Sequence, residues 1–287
     1  MLHDGLHSGN NTVNSLPGKL GEAAIYLHKE IGKYAPEFVI VLGSGLSNVF
    51  SGAEILYSIP YTSIPGIPKA IVSGHRGVLE IVKYQKKTIA IMRGRFHIYE
   101  GNSPDDAVRL LRALVLLGVK TAILTNASGS TSLKHKPGEL ALIKDHINIT
   151  NLTPLSSDEA HSLGGGFLDL SEPYSAEIRK QIKSIAKKLN IKISEAVYAC
   201  MRGPQYETAA EVKMLKTLGA DVAGMSTVPE VIALRQLGVR IACITTVTNY
   251  GTGVKKGNTL SHSEVKMMGE KVAHKLDSIL KLLLKDL

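Results

Sequence analysis

A cationic segment follows one of the predicted strands. In "MRGRFHIYEG", Arg93, Arg95 and His97 occupy alternate positions directly after an apolar run. Arg95 can bind an oxyanion through two parallel hydrogen bonds, and His97 can donate another. A solvated surface loop explains this segment equally well, and Asp105 and Asp106 are close enough in sequence to pair with the arginines. The segment therefore predicts either an anion site or a surface cluster of ion pairs.

A glycine turn in "LGSGLSNVF" also has the composition of an anion site. Its small residues expose backbone N–H groups, and Ser44 adds a hydroxyl. The segment lacks the GxxxxGK[ST] pattern of a Walker A loop, and Asn48 stands where the dinucleotide-binding fingerprint has its third glycine. A tight turn without a ligand remains the alternative.

Ser226 lies directly before a predicted helix. Thr227-x-x-Glu230 has the spacing of a capping box, with Pro229 in the first turn and Gly238 as a stop signal. Anions are favoured at helix N-termini, so the Ser226 hydroxyl can bind one there. A spare capping hydroxyl explains the same residue.

A carboxylate lies at a predicted strand-to-helix turn in "RGPQYETAAEV". Glu207 follows Tyr206 and precedes Thr208, which can cap the next helix. The helix dipole stabilises a carboxylate at that place, so Glu207 has a structural explanation beside a ligand-binding one.

Familiar catalytic signatures are missing from the sequence. It contains no G-x-S-x-G and no H-E-x-x-H, and Cys200 and Cys243 have no neighbouring histidine or second cysteine. We therefore expect no protein nucleophile, no metal and a reducing, cytoplasmic setting. The remaining side chains suit a transfer reaction in which phosphate itself is the nucleophile.

The composition is that of a globular chain. Of its 287 residues, 44% are hydrophobic and 21% are charged, and the formal net charge is +9. The lysines are scattered in pairs without interleaved aromatic residues, which argues against a nucleic-acid partner. No stretch approaches the roughly 20 apolar residues that span a membrane. We predict a flexible leader, residues 1–18, and one domain, residues 19–287.

Short β-branched runs alternate with helical patterns along the chain. This alternation predicts an α/β fold with a central mixed, largely parallel β-sheet flanked by helices. The C-terminal segment has apolar residues at helical spacing, namely Val265, Met268, Val272, Leu276, Ile279 and Leu283. Polar residues follow five predicted strands, at the sheet edge where α/β proteins bind ligands. They are Ser44, Arg95 with His97, Asn126 to Ser128, Glu207 and Asn249.

Eight motifs together resemble the trimeric, low-molecular-mass purine nucleoside phosphorylases. In chain order they are "VLGSGLSNVF", "GHRG", "RGRFHIYEG", "TNASGS", "LIKDHIN", "RGPQYETAAEV", "GADVAGMSTVPEV" and "TVTN". The resemblance implies reversible phosphorolysis of purine (deoxy)ribonucleosides such as inosine and guanosine. It also implies inorganic phosphate as co-substrate, no other cofactor and a homotrimer.

The resemblance implies a role for individual residues. Its phosphate ligands match Ser44, His75, Arg95, His97, the backbone at Ala127, and Ser226. Its sugar contacts match Tyr99, Met225 and His262, with Phe167 reaching in from a neighbouring subunit. Its base contacts match Tyr206, Glu207 and Asn249, and we assign catalysis to Asn249, Glu207 and His97.

One departure and three alternatives remain. Tyr250 stands where mammalian-type members have lysine, which affects the edge of the base pocket. A 5′-methylthioadenosine phosphorylase of the same fold would have aspartate at Asn249 and an apolar residue at His262. A non-catalytic nucleotide-binding protein and a dinucleotide-dependent oxidoreductase are the other two.

Overall fold

The strands form where short apolar, β-branched runs occur. The computed structural model describes residues 16, 18–46, 48–69, 76–256 and 262–287. Within these ranges the strands are β1 Phe38–Leu42, β2 Glu54–Pro60, β3 Val78–Tyr84, β4 Lys87–Arg93, β5 Thr121–Ser130, β6 Leu140–Asn148, β7 Ile193–Cys200, β8 Val222–Gly224 and β9 Arg240–Tyr250.

The helices of the described ranges connect these strands. They are α1 Gly18–Ile31, α2 Pro104–Leu116, α3 Asp158–Ser162, α4 Ala176–Lys188, α5 Ala209–Thr217, α6 Val228–Gln236 and α7 His262–Asp286. The predicted leader lies outside the described residues apart from Leu16 and Gly18, and Gly18 begins α1. No helix of the described part combines the length and apolar character that a bilayer crossing requires.

The sheet is mixed and partly closed on itself. Its strand order is β2-β3-β4-β1-β5-β8-β7-β6-β9, and β9 also pairs with β5, so five strands form a ring. The pairs β1–β4, β1–β5, β5–β9, β6–β7 and β7–β8 are parallel, and the others are antiparallel. The prediction of a mixed, largely parallel sheet flanked by helices is confirmed.

Two hydrophobic clusters cover the two faces of the sheet. One joins α1, α2 and α6 to the sheet through residues such as Leu27, Leu110 and Val231. The other cluster joins α4 and α7 to the sheet through residues such as Ile182 and Leu276. Buried aliphatic side chains contribute about 1.5–3 kcal/mol each, so these clusters hold the strand ends in fixed positions.

Capping boxes fix the starts of two helices, and the cap at Thr208 confirms the prediction made for it. Ser103 caps α2 in a capping box with Asp106, and Pro104 is the first helical residue. Thr208 caps α5 in a capping box with Glu211. Both helices therefore begin directly after segments that lead out of the sheet edge.

Candidate active site

A cavity of about 340 Å³ lies at the edge where several strands end. It receives residues from the turn after β1, the segment after β4, the second half of β5, the segment after β7, and the end of β9. The cavity is lined by these sequence-predicted residues: Ser44, Arg95, Tyr99, Ala127, Tyr206, Glu207, Met225, Ser226 and Asn249.

Two further predicted residues do not line the main cavity. His97 lines a small adjoining cavity of about 10 Å³, which shares Met225 and Ser226 with the main one. Phe167 is fully exposed and does not line the main cavity. His75 and the side chain of His262 lie outside the described residues.

The pairing of β5 with β9 places Asn249 in the cavity wall. The register shifts between Ser128 and Gly129, so that Gly129 lies opposite Asn249. A Cβ atom on Gly129 would lie 2.9 Å from Nδ2 of Asn249, so glycine leaves room for the amide. The amide is oriented by its neighbours: Thr248 donates to its Oδ1 over 2.8 Å, and its Nδ2 donates to the Tyr250 carbonyl over 3.1 Å.

The glycine turn after β1 lies tightly against the adjacent strand. The Gly43 N–H donates to Thr125 Oγ1 over 3.1 Å, and a Cβ atom on Gly43 would lie 3.3 Å from Nη1 of Arg95. Gly45 has a φ of 76° and approaches the Lys266 carbonyl of α7. The turn therefore needs small residues for close packing, and this packing presents Ser44 to the cavity.

Arg95 is held by the carboxylate of Glu230, a residue that the sequence pattern predicts to be part of a helix capping box. Nε and Nη2 of Arg95 donate to the two oxygens of Glu230 over 2.8 and 3.0 Å, and Nη1 donates to the Thr125 carbonyl over 2.6 Å. Burial by itself lowers the pKa of Arg95, but Glu230 raises it overall, so the guanidinium stays charged. Asp105 and Asp106 pair instead with Arg112 and Arg109 of their own helix.

The predicted capping box at α6 is wrong. Thr227 is the N-cap residue, but its side chain makes no capping hydrogen bond, and its φ of 71° is unusual for a β-branched residue. Its hydroxyl instead accepts from Asn126 Nδ2 over 2.8 Å and lies 3.0 Å from Ser226 Oγ. Glu230 is turned away to Arg95, so neither partner of the box is available.

His97 is buried beside a carboxylate. Its Nδ1 lies 2.6 Å from Glu100 Oε1, and its ring stacks on Tyr99 with centroids 4.6 Å apart. Burial lowers the pKa of His97 by more than Glu100 raises it, so the imidazole is neutral at pH 7. Nδ1 then donates to Glu100, which fixes the orientation of the ring.

Glu207 lines the cavity, and one of its carboxylate oxygens is buried. Its Oε1 makes no hydrogen bond within the part of the chain that the structure describes. Burial, and then repulsion from Glu211, raise the pKa of its carboxyl. A ligand N–H would satisfy this oxygen, because buried acceptors are costly when they are left unpaired. Within the same described ranges, no group of three or more His, Cys, Asp or Glu is placed to hold a metal ion.

Comparison with known proteins identifies the family. Residues 37–285 match the model of the phosphorylase superfamily. Purine nucleoside phosphorylase 1 of Geobacillus stearothermophilus is 39% identical over 251 residues, which are 88% of this chain and 91% of that protein. The chain belongs to the purine nucleoside phosphorylase family.

Solved structures of the purine nucleoside phosphorylase family share the whole fold. The Schistosoma mansoni enzyme in complex with adenosine has a TM-score of 0.87 at 32% identity, covering 93% of this chain and 96% of that one. The S. mansoni enzyme in complex with inosine has a TM-score of 0.84 at 31% identity, covering 94% and 96%.

The sequence did not reveal every cavity residue of this phosphorylase-family chain. The helical spacing predicts Val265 as a packing position of the C-terminal helix, but it lines the cavity from the first turn of α7. Thr248 and Gly224 also line it. A Cβ atom on Gly224 would lie 2.4 Å from the Tyr198 hydroxyl oxygen, so a side chain there would clash. The motif "GADVAGMSTVPEV" contains Gly224, but its contact with Tyr198 depends on the tertiary fold.

We predict that Gly129→Ala lowers the free energy of unfolding by about 1 kcal/mol. The added methyl group displaces the Asn249 amide at a cost of about 1–3 kcal/mol, against an entropic gain of about 0.4–1 kcal/mol from replacing glycine. Urea denaturation measures the change. Gly52→Ala is the matched control, since a Cβ there has no neighbour within 4 Å. Equal stabilities of the two variants would contradict the close contact.

Proposed function

We propose that this protein catalyses reversible phosphorolysis of purine (deoxy)ribonucleosides, inosine and guanosine above all, to the free base and (deoxy)ribose 1-phosphate in purine salvage. The single observation that supports this most is the pairing of two chemistries in one cavity. Ser44, Arg95 and Ser226, which can bind an anion, line the same cavity as Glu207 and Asn249, which can hydrogen-bond a purine. Family membership favours an enzyme over a non-catalytic nucleotide-binding protein.

The phosphate site in this proposal combines charge with fixed hydrogen-bond donors. We assign it Ser44, Arg95, Ser226, His97 and the backbone N–H of Ala127, together with His75. Arg95 is buried and charged, and its planar group suits a tetrahedral oxyanion. Because Arg95 and His97 are buried, these two donors interact more strongly with the anion than they would in solvent.

The sugar lies between the phosphate and the base in this assignment. We assign its contacts to Tyr99, Met225 and His262, with Phe167 supplied by a neighbouring subunit of a homotrimer. Phe167 is fully exposed in the single chain, which fits a side chain that reaches a neighbour. Aromatic side chains such as this one are enriched at protein–protein interfaces.

The base site recognises the purine through Tyr206, Glu207 and Asn249. Tyr206 provides an aromatic wall and Glu207 accepts the ring N1–H of a 6-oxopurine. An adenine has no proton at N1, so the Glu207 oxygen would face a lone pair and stay unpaired. Sites built around such a hydrogen bond reject the analogue that lacks it.

Catalysis follows from the same arrangement. Cleavage of the glycosidic bond develops positive charge on the sugar, as in glycoside hydrolysis. The bound phosphate dianion stabilises that charge and attacks C1′, while the bonding electrons leave with the base. Asn249 donates a hydrogen bond to the purine as negative charge grows there, an interaction that is strongest in the transition state.

No protein nucleophile takes part in this mechanism. Cys200 and Cys243 are buried free thiols. Burial raises the pKa of Cys200 to about 12 and also raises the pKa of Cys243, so neither is a thiolate at pH 7. Unpaired buried thiols also fit the reducing, cytoplasmic setting that we propose for the protein.

We predict that inosine and guanosine are cleaved only when phosphate is present. Phosphate is the nucleophile in the proposed reaction, so its removal leaves no group to accept the sugar. Chromatographic separation of base and nucleoside, with and without phosphate, measures this dependence. Hypoxanthine that appears equally fast without phosphate would indicate a hydrolase instead.

We predict that Glu207→Gln lowers kcat/KM for inosine by roughly 10²-fold, because a hydrogen bond to a charged group is worth about 1.5–3 kcal/mol. The KM for phosphate should change less than about twofold, since Glu207 belongs to the base end. Steady-state kinetics with each substrate varied in turn measure both values. Equal losses for inosine and phosphate would count against the assigned role.

The control and the pH profile sharpen this test. Glu211→Gln makes the same chemical change four residues away, on a partly exposed capping residue, and should leave both constants unchanged at pH values above the titration of Glu207. Burial raises the pKa of Glu207, so kcat/KM for inosine should fall as pH decreases, starting above the pH at which an ordinary glutamate titrates. That acid limb should be missing in Glu207→Gln.

A further inference from the structure

The first turn of α6 directs two polar side chains into the protein instead of capping its own helix. Thr227 and Glu230 are 2% and 3% exposed, and each contacts a residue that lines the main cavity. We propose that Thr227 and Glu230 are positioning residues, which hold Ser226 and Arg95 in the geometry that a bound phosphate requires. The proposal rests on the proposed phosphorolysis and assigns a task to two residues that do not line the main cavity.

Glu230 fixes the plane of the Arg95 guanidinium. Its two carboxylate oxygens accept from Nε and Nη2, and the Thr125 carbonyl accepts from Nη1. Contacts on three nitrogens of a planar group leave it no freedom to rotate about its own axis. The direction in which Arg95 faces the cavity is therefore set by α6 and β5 before any anion arrives.

A second buried pair beside the first provides an internal comparison. Arg93, two residues before Arg95, donates from Nε to Glu80 Oε2 over 2.6 Å, and both side chains are 2% exposed. Arg93 does not line the main cavity. The two pairs thus share chemistry and depth, and they differ in whether the arginine lines the main cavity.

Thr227 connects the Asn126 amide to the Ser226 hydroxyl. Asn126 Nδ2 donates to Thr227 Oγ1 over 2.8 Å, and Thr227 Oγ1 lies 3.0 Å from Ser226 Oγ. When Thr227 donates its own proton to Ser226 Oγ, the proton of Ser226 is left for the cavity. The positive φ of 71° at Thr227 is rare for a β-branched residue and occurs where surrounding contacts enforce it, often at functional sites.

The test compares Glu230→Gln with Glu80→Gln. Glu230→Gln should lower kcat/KM for phosphate at least about tenfold, because small errors in placing a reacting group cost large factors in rate. The KM for inosine at saturating phosphate should change less than about twofold. Glu80→Gln should change both constants less than about twofold, even if it lowers Tm by a similar amount.

A double-mutant cycle shows whether Glu230 acts through Arg95. In an Arg95→Gln background, the further loss caused by Glu230→Gln should shrink to less than about twofold. If turnover of Arg95→Gln is too slow to follow, the rise in Tm produced by phosphate supplies the same cycle. Additive losses, or equal losses for inosine and phosphate in Glu230→Gln, would overturn the proposal.

Variants of Thr227 test the second part of the proposal, that Thr227 positions Ser226. This test does not require the Glu230 variants to fold. Thr227→Val keeps the shape but lacks the hydroxyl, and should weaken phosphate use about tenfold, while Thr227→Ser restores the hydroxyl and should recover most of it. Equal activity of the Val and Ser variants would overturn this role. Inosine cleavage by the unmodified protein that does not need phosphate would instead overturn the proposed function itself.

Discussion

The parallel pairing of β5 with β9 is the constraint on which the candidate site depends. It extends from Thr121 opposite Arg240 to Ser130 opposite Tyr250, and its one irregularity lies between Ser128 and Gly129. Because β1 pairs with the other edge of β5, the same strand also determines where the glycine turn with Ser44 can lie. A slip of one residue would turn the lining side chains of β5 or β9 to the opposite face.

The buried ion pair of Arg95 and Glu230 lies beside this pairing of strands, with Arg95 in the wall of the cavity. Removing an arginine and a carboxylate from water costs several kcal/mol for each ion, and their mutual attraction regains this only with good geometry. The Arg95–Glu230 pair has two hydrogen bonds in that geometry and lies in the cavity wall. The charge is therefore present and oriented before the substrate binds, which is the arrangement that gives electrostatic catalysis its strength.

The sequence predicts which residues lie at the edge of the sheet better than it predicts the tertiary contacts that hold them there. Strands with apolar, β-branched runs, such as "FVIVL" and "VRIACITTVTN", are evident from composition, whereas β2 is largely exposed and β8 has only three residues. The capping box at Thr227 and Glu230 was predicted wrongly because its residue types suit both a helix cap and tertiary bonds. The contact of Glu230 with Arg95 spans 135 residues, which no local pattern can show. The position of Val265 in the cavity wall is not predictable for a related reason. Helical periodicity identifies the apolar face of a helix but not the part of the protein that this face contacts.

The fate of phosphate tests the central claim most directly. Inosine incubated with the protein and radiolabelled phosphate should give labelled ribose 1-phosphate in the same molar amount as hypoxanthine, because phosphate is the group that attacks C1′. Free, unlabelled ribose that accumulates in step with hypoxanthine would contradict the account.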